Sequence, residues 1–227
     1  MIKAILFDLD GTLLNRDDSV NKFIDVQYER LNKWVGHVSK EKYMTRFIEL
    51  DRQGYVWKDK VYQQLVDDLE IAHVGWEYLL EDYINEFKNN CVPFPHLHGV
   101  LEELRSSNFV LGMITNGYGQ FQMDNIKSLG IESYFETILI SEGEGIKKPN
   151  PEIFRRALNK LNVAPSQSIF VGDHIENDIW ASENIGMKGI WKRDSQWDKM
   201  RTDFMIDDLS ELPRIVKEIN NEGMSLK

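Results

Sequence analysis

The sequence predicts an α/β fold, a doubly wound parallel sheet with an inserted all-helical segment. Three observations carry the prediction. After Pro95, short apolar runs bounded by turn residues alternate with helical periodicity, the pattern of a parallel sheet covered on both faces. A further apolar run, Ile2-Lys-Ala-Ile-Leu-Phe7, stands alone at the start. Between them, from about Ser19 to Phe87, only helical spacing occurs, over a stretch too long for a simple loop.

Taken in order, the first strand, 2–7, leads into Asp8-Leu-Asp-Gly-Thr12, with Gly11 marking a turn. Val20, Ile24, Leu31 and Trp34 then recur at helical spacing, with Gln27 as a polar interruption; Tyr43, Phe47 and Leu50 do the same. So do Tyr62, Leu65, Val66 and Leu69, and the clearest stripe is Trp76, Leu79, Leu80, Tyr83, Ile84 and Phe87. Four helices are expected, near 19–36, 40–53, 57–70 and 76–90, until Cys91-Val-Pro-Phe-Pro95 breaks the pattern. A helix through Val100, Leu101 and Leu104 follows, then a strand at 109–115 and a helix at 119–129 closed by Gly130. The remainder reads as strand 137–140, helix 152–161 with Pro151 near its start, strand 168–171, helix 175–184, strands 188–191 and 204–206, and a closing helix at 209–219. The expected organisation is an α/β domain of residues 1–15 and 95–227, with a helical cap domain of residues 16–94 set over the carboxyl edge of the sheet.

Composition narrows the class. The 227 residues carry 37 Asp+Glu against 27 Lys+Arg, a formal charge of −10, which argues against broad binding to nucleic acid polymers or anionic membranes. No apolar run approaches the length of a membrane span, and the run before Asp8 is too short for a signal peptide. The single cysteine, Cys91, permits no internal disulfide and fits a reducing, cytoplasmic setting, where it reads as a packing residue. Nothing in the sequence sets the oligomeric state.

Four polar clusters fall just past predicted strand ends: Asp8/Asp10/Thr12, Thr115/Asn116, Lys147/Lys148 and Asp173/Asp178. In a parallel sheet these ends share one edge, so the clusters are expected to converge. Asp8-Leu-Asp-Gly-Thr12, Ile114-Thr-Asn-Gly117, Lys148-Pro-Asn-Pro-Glu-Ile-Phe154 and Gly172-Asp-His-Ile-Glu-Asn-Asp178 resemble the four ordered motifs of the haloacid dehalogenase-like hydrolase superfamily. The resemblance spans essentially the whole chain, and a helical insert between the first two motifs resembles the C1-capped phosphatases of that superfamily, with a Rossmann-like core.

The resemblance implies Asp8 as nucleophile, forming an aspartyl-phosphate, and Asp10 as general acid and then base. It implies Mg²⁺, held by the Asp8 side chain, the Asp10 carbonyl and the Asp173 side chain, with Asp178 behind them holding a metal-bound water or positioning the site. Thr115, with backbone N–H groups of Leu9, Asp10 or Asn116, is expected to hold the phosphoryl oxygens, and Lys148, the lysine directly before proline, to stabilise their charge. Thr12 is expected to shape its loop by local hydrogen bonds.

The expected activity is hydrolysis of a small phosphate monoester: a sugar phosphate, nucleoside monophosphate or phospho-acid. Dehalogenation is the weaker alternative, because it uses no second Asp in the first motif. Phosphoryl mutase chemistry shares the catalytic residues, phosphonate cleavage would need a cap lysine, and a non-catalytic phosphate-binding protein would share the fold. Residues 40–60 carry six Lys/Arg against four Asp/Glu, whereas 67–86 carry seven Asp/Glu and no Lys/Arg. Arg46, Arg52, Lys58 and Lys60 are thus candidates to receive an anionic substrate, against the alternative of a solvated helix face. Gly143 and Gly145 lack the Lys-Ser/Thr of a P-loop, and His37, His73, His96 and His98 lack metal spacing. His174 adjoins Asp173, where either a place in the site or loop exposure fits.

Overall fold

The structure is a computed structural model, and it describes residues 1–194 and 202–225. Its strands are β1 (Ala4–Phe7), β2 (Val110–Thr115), β3 (Thr137–Ile140), β4 (Ser168–Gly172), β5 (Lys188–Lys192) and β6 (Met205–Ile206). They form one sheet in the order β3-β2-β1-β4-β5-β6, with every pairing parallel. β1 therefore lies centrally, Phe7 opposite Met113 on one side and Val171 on the other. All four β1 residues are wholly buried, as a strand covered on both faces requires.

The chain folds as two compact units, residues 1–15 with 93–227, and residues 16–92. The second unit holds helices α1 (Arg16–Arg30), α2 (Asn32–Val35), α3 (Lys40–Asp51), α4 (Lys58–Asp68) and α5 (Trp76–Glu86), the last continued by a 3-10 turn at Phe87–Asn90. α1 starts before the predicted Ser19 because Asp17 and Asp18 occupy its first turn, where acidic charge complements the helix dipole. Ser19 is instead buried, and its hydroxyl accepts the Val92 N–H at 2.8 Å. The single helix expected over 19–36 breaks at Leu31 into α1 and α2. Phe23, Tyr83 and Phe87 form the aromatic centre of this unit. Ile84, expected on the apolar stripe, is exposed, because Leu79, Tyr83 and Phe87 at spacing four take the buried face.

The sheet unit adds α6 (Leu97–Ser106), α7 (Gly119–Ser128), α8 (Ser141–Glu144), α9 (Pro151–Leu161), α10 (Ala181–Glu183) and α11 (Leu212–Ser225). α9 has Pro151 in its first turn and the Asn150 side chain accepting the Glu152 N–H at 3.0 Å. Its Ile153, Phe154, Ala157 and Leu158 pack with Ala4, Leu6, Ile114 and Phe170 into one core. The helix expected over 175–184 opens instead with a π-helical turn, Ile175–Trp180, before α10. Two side chains organise that turn: the His174 ring accepts the Glu176 and Asn177 N–H groups at 3.2 Å, and Asp178 Oδ2 accepts the His174 N–H at 3.1 Å. Among the described residues no helix is long and apolar enough to cross a membrane.

Candidate active site

The candidate site is built at the carboxyl edge of the sheet. Asp8 extends β1 by one pairing, its N–H donating to the Val171 carbonyl at 2.9 Å. The chain then turns tightly, the N–H groups of Thr12, Leu13 and Leu14 all reaching the Leu9 carbonyl, at 2.9 to 3.2 Å. Gly11 makes this possible: its φ is +76°, and a Cβ there would lie 2.2 Å from Asp173 Oδ2. Bare backbone thus lets the first loop approach the end of β4.

Lys148 is the hub of the charges. Its Nζ lies 2.6 Å from Asp8 Oδ1 and 2.7 Å from Asp178 Oδ1. The lysine is 3 % exposed, Asp178 wholly buried and Asp8 nearly so. Its backbone is seated by Asn116, whose Nδ2 donates to the Lys148 carbonyl at 3.0 Å and whose Oδ1 accepts the Lys148 N–H at 2.9 Å. The Lys148–Pro149 bond is cis. Lys147 is exposed, so adjacent lysines have opposite surroundings.

Asp8, Asp173 and Asp178 each offer an oxygen within 4.8 Å of the others. Three carboxylates against one ammonium leave two uncompensated negative charges if all ionise, and burial magnifies the cost. Burial, aided by the Asp178 charge, pushes the Asp8 carboxyl up to about 6 although Lys148 pulls it down. Asp173 is raised well above its ordinary range by burial and then by Asp8 and Asp178. Burial disfavours charge on Lys148, but Asp178 and Asp8 outweigh it and hold the ammonium above its ordinary value. A hard divalent cation relieves such a cluster, so the oxygen-only donor set fits Mg²⁺. Asp178 already engages both oxygens, with Lys148 and the His174 N–H, leaving Asp8 and Asp173 as the better-disposed pair.

The remaining expected residues lie around this centre. Thr115, at the end of β2, is wholly buried, and its hydroxyl accepts from Gln122 Nε2 at 2.8 Å. Asp10 Oδ2 accepts from the same nitrogen at 2.7 Å. The Thr12 hydroxyl reaches beyond its own loop to Asp173 Oδ1, at 3.4 Å. His174 is half-buried, held below its ordinary pKa by burial, and turned toward the π-helical N–H groups. Trp191 Nε1 donates to the Asp173 carbonyl at 2.9 Å and fixes the base of that loop.

Sequence reasoning missed Gln122, Ser141 and Glu142. Ser141 Oγ accepts the Gly117 N–H at 2.9 Å and Glu142 Oε2 the Gly119 N–H at 2.7 Å, so α8 anchors the loop after β2. Gln122 and Asn125, polar and buried on the α7 face that also carries Ile126, were the available signal.

One expectation about the helical unit needs correction. Lys58 is not available to a substrate: it is 3 % exposed and paired with Asp51, which also takes Arg16 Nη2 at 2.7 Å. Desolvation of a lysine stem and head between α3 and α4 demanded a buried carboxylate partner. Those two cations hold Asp51 below the usual carboxylate range against the opposing effect of burial. Arg46 is engaged at the surface by Glu49 and Asp68, while Lys60 is exposed.

Residues 5–192 match the haloacid dehalogenase-like hydrolase family. The chain is 33 % identical to a glyceraldehyde 3-phosphate phosphatase of Pyrococcus furiosus, covering 100 % of this chain and 96 % of that protein. It is 31 % identical to the pyrimidine 5'-nucleotidase YjjG of Escherichia coli, over 82 % of this chain and 84 % of the other. A solved HAD phosphatase from Thermococcus onnurineus is 26 % identical and superposes with a TM-score of 0.66, covering 95 % and 98 % of the two chains. The chain therefore belongs to the haloacid dehalogenase-like hydrolases, and it is an enzyme of that family.

Proposed function

We propose that this enzyme is a Mg²⁺-dependent phosphatase of small phosphate monoesters that works through an aspartyl-phosphate on Asp8. The observation that carries the reading is the Asp8–Lys148–Asp178 ion-pair chain with Asp173 beside it. Asp8 and Asp173, with the Asp10 carbonyl, would hold Mg²⁺, which when bound neutralises the ester's charge and favours the ionised form of Asp8.

Asp8 attacks phosphorus with a carboxylate oxygen, the P–O bond to the leaving group breaks, and Asp10 gives that oxygen its proton. Asp10 then takes a proton from the water that hydrolyses the acyl phosphate. Lys148, seated by the Asn116 clamp, orients Asp8 and balances the charge on the transferred group. The Thr115 hydroxyl and backbone N–H groups of Leu9 and Asn116 hold the phosphoryl oxygens. Asp178 acts through Lys148, keeping its ammonium charged and aimed. A location in the cytoplasm accords with the lone cysteine.

Relatives that act on glyceraldehyde 3-phosphate and on pyrimidine nucleotides support a small phosphorylated metabolite as substrate. The test is hydrolysis of p-nitrophenyl phosphate with Mg²⁺, with EDTA, and by Asp8→Asn, followed by a panel of triose phosphates, nucleoside monophosphates and phospho-acids. Turnover is expected only with metal and Asp8; turnover that survives Asp8→Asn would refute the assigned nucleophile.

A further inference from the structure

A buried amide beside the candidate site belongs to Gln122, which none of the four motifs contains. Its Nε2 lies 2.7 Å from Asp10 Oδ2, 2.8 Å from Thr115 Oγ1 and 3.3 Å from the Asn116 carbonyl. The side chain is 2 % exposed. On its other side, Asn125 Nδ2 donates to Gln122 Oε1 at 3.3 Å, and Asn125 is wholly buried. That contact fixes which end of the amide is which: reversed, two donors would face each other and Oε1 would meet the Asp10 carboxylate.

The surroundings are shaped to keep Gln122 in place. Gly117 has a φ of +152°, and a Cβ there would lie 2.8 Å from Gln122 Cγ. The loop after β2 is thus bare where the glutamine stem crosses it. The same loop is pinned by Ser141 and Glu142, so the stem, its loop and the helix bearing it form one braced assembly.

From this geometry we infer that Gln122 is a positioning residue for the reaction: it fastens the Asp10 carboxyl through Oδ2 and ties it to the Thr115 hydroxyl. The inference rests on the proposed role of Asp10 as proton donor and deepens it. A carboxyl group rotates freely about its terminal torsion, and proton transfer in the transition state requires one oxygen near the departing atom. The contact at Oδ2 fixes the plane of the carboxyl group, and with it the direction in which its proton is passed to the leaving group. Linking Oδ2 to Thr115 places that proton in fixed register with the hydroxyl that holds the phosphoryl group. Any loosening of the Thr115 hydroxyl or of the Asp10 backbone weakens both esters alike, whereas the loss of a fixed proton donor falls on the ester whose leaving group needs a proton.

The experiment compares two esters of similar shape, p-nitrophenyl phosphate, whose leaving group departs without a proton, and phenyl phosphate, whose leaving group needs one. Single-turnover phosphorylation rates are measured with the Mg²⁺-loaded wild type, Gln122→Met, Gln122→Glu and Asp10→Asn. The ratio of the two rates within one sample does not depend on the fraction folded, so partial instability of a variant leaves it readable. Gln122→Met lacks the donor at similar volume; Gln122→Glu keeps the acceptor for Asn125 and presents an oxygen to Asp10. Both are expected to slow phenyl phosphate roughly tenfold to a hundredfold more than p-nitrophenyl phosphate, with any change in KM common to the two esters. Asp10→Asn is expected to show the same selectivity more strongly. Selectivity in Asp10→Asn but equal slowing of both esters in the Gln122 variants overturns the inference and leaves the Asp10 reading intact. Equal slowing in Asp10→Asn itself overturns the proton-donor reading, and this inference with it.

Discussion

Replacing Lys148 by methionine removes the ammonium shared by Asp8 and Asp178, at 2.6 and 2.7 Å. The methionine fills a similar volume, so the loss is one of charge. Breaking a buried ion pair from one side typically costs about 3–5 kcal/mol, because the partner charge stays behind. For a chain of this size that is roughly 6–20 °C in Tm. The sign of the pH dependence follows from linkage. Asp8 titrates at about 6 in the folded protein, above the ordinary carboxylate value, even with Lys148 pulling it down. Without Lys148 the folded state holds its carboxyl protons to still higher pH than the unfolded chain does. The variant's stability therefore falls as pH rises, and its deficit against wild type is smallest below about pH 6 and largest near pH 8. Metal-free thermal unfolding of both proteins across that range measures it, and Lys148→Met with Asp178→Asn should recover part of the deficit. A deficit under about 1 kcal/mol near pH 8, or one that shrinks with rising pH, would refute the view of Lys148 as the charge that makes the cluster tolerable.

Other expectations follow from the same geometry. Mg²⁺ should raise Tm by an amount that grows with pH through about 6, as Asp8 sheds its proton to bind it, and calorimetry on Asp173→Ala should show no such gain. Gly11→Ala should abolish metal-linked stabilisation and turnover, since its Cβ would sit 2.2 Å from Asp173 Oδ2; wild-type metal affinity by titration would contradict this. In the helical unit, Asp51→Asn should cost about 3–5 kcal/mol by leaving Lys58 buried without its carboxylate. Because Asp51 is held below its ordinary pKa, that contribution is present at neutral pH and disappears as pH falls through the acid range, which acid titration of wild type and variant will show.

Alternation of apolar runs and helical periods was enough to anticipate the strands, because a parallel strand buried on both faces, such as Ala4–Phe7, has little freedom in composition. Strand ends mark an edge, so the order of the elements alone leads one to expect Asp8, Lys148 and Asp173 near one another. Side-chain direction was less legible. Lys58 reads as a surface cation in a basic stretch; only the packing of α3 on α4 turns it inward to Asp51. Gln122 belongs to no motif, and its contact with Asp10 spans more than a hundred positions in the chain. The π-helical turn at Ile175–Trp180 was equally hidden, since it arises from the bonds of His174 and Asp178 to nearby backbone rather than from propensity.

The join between the two units has a consequence for how such a chain can change. Leu14 and Pro93 are bridged in antiparallel fashion, and the Phe94 N–H donates to the Leu13 carbonyl at 3.0 Å, so departing and returning backbone are stitched side by side. To the sheet, everything between them is one loop whose ends are already closed. Doubling the length of a closed loop costs only about 0.6 kcal/mol. Inserts of quite different length therefore cost the sheet little at this stem, and a change in their size need not disturb Asp8, six residues upstream of Leu14.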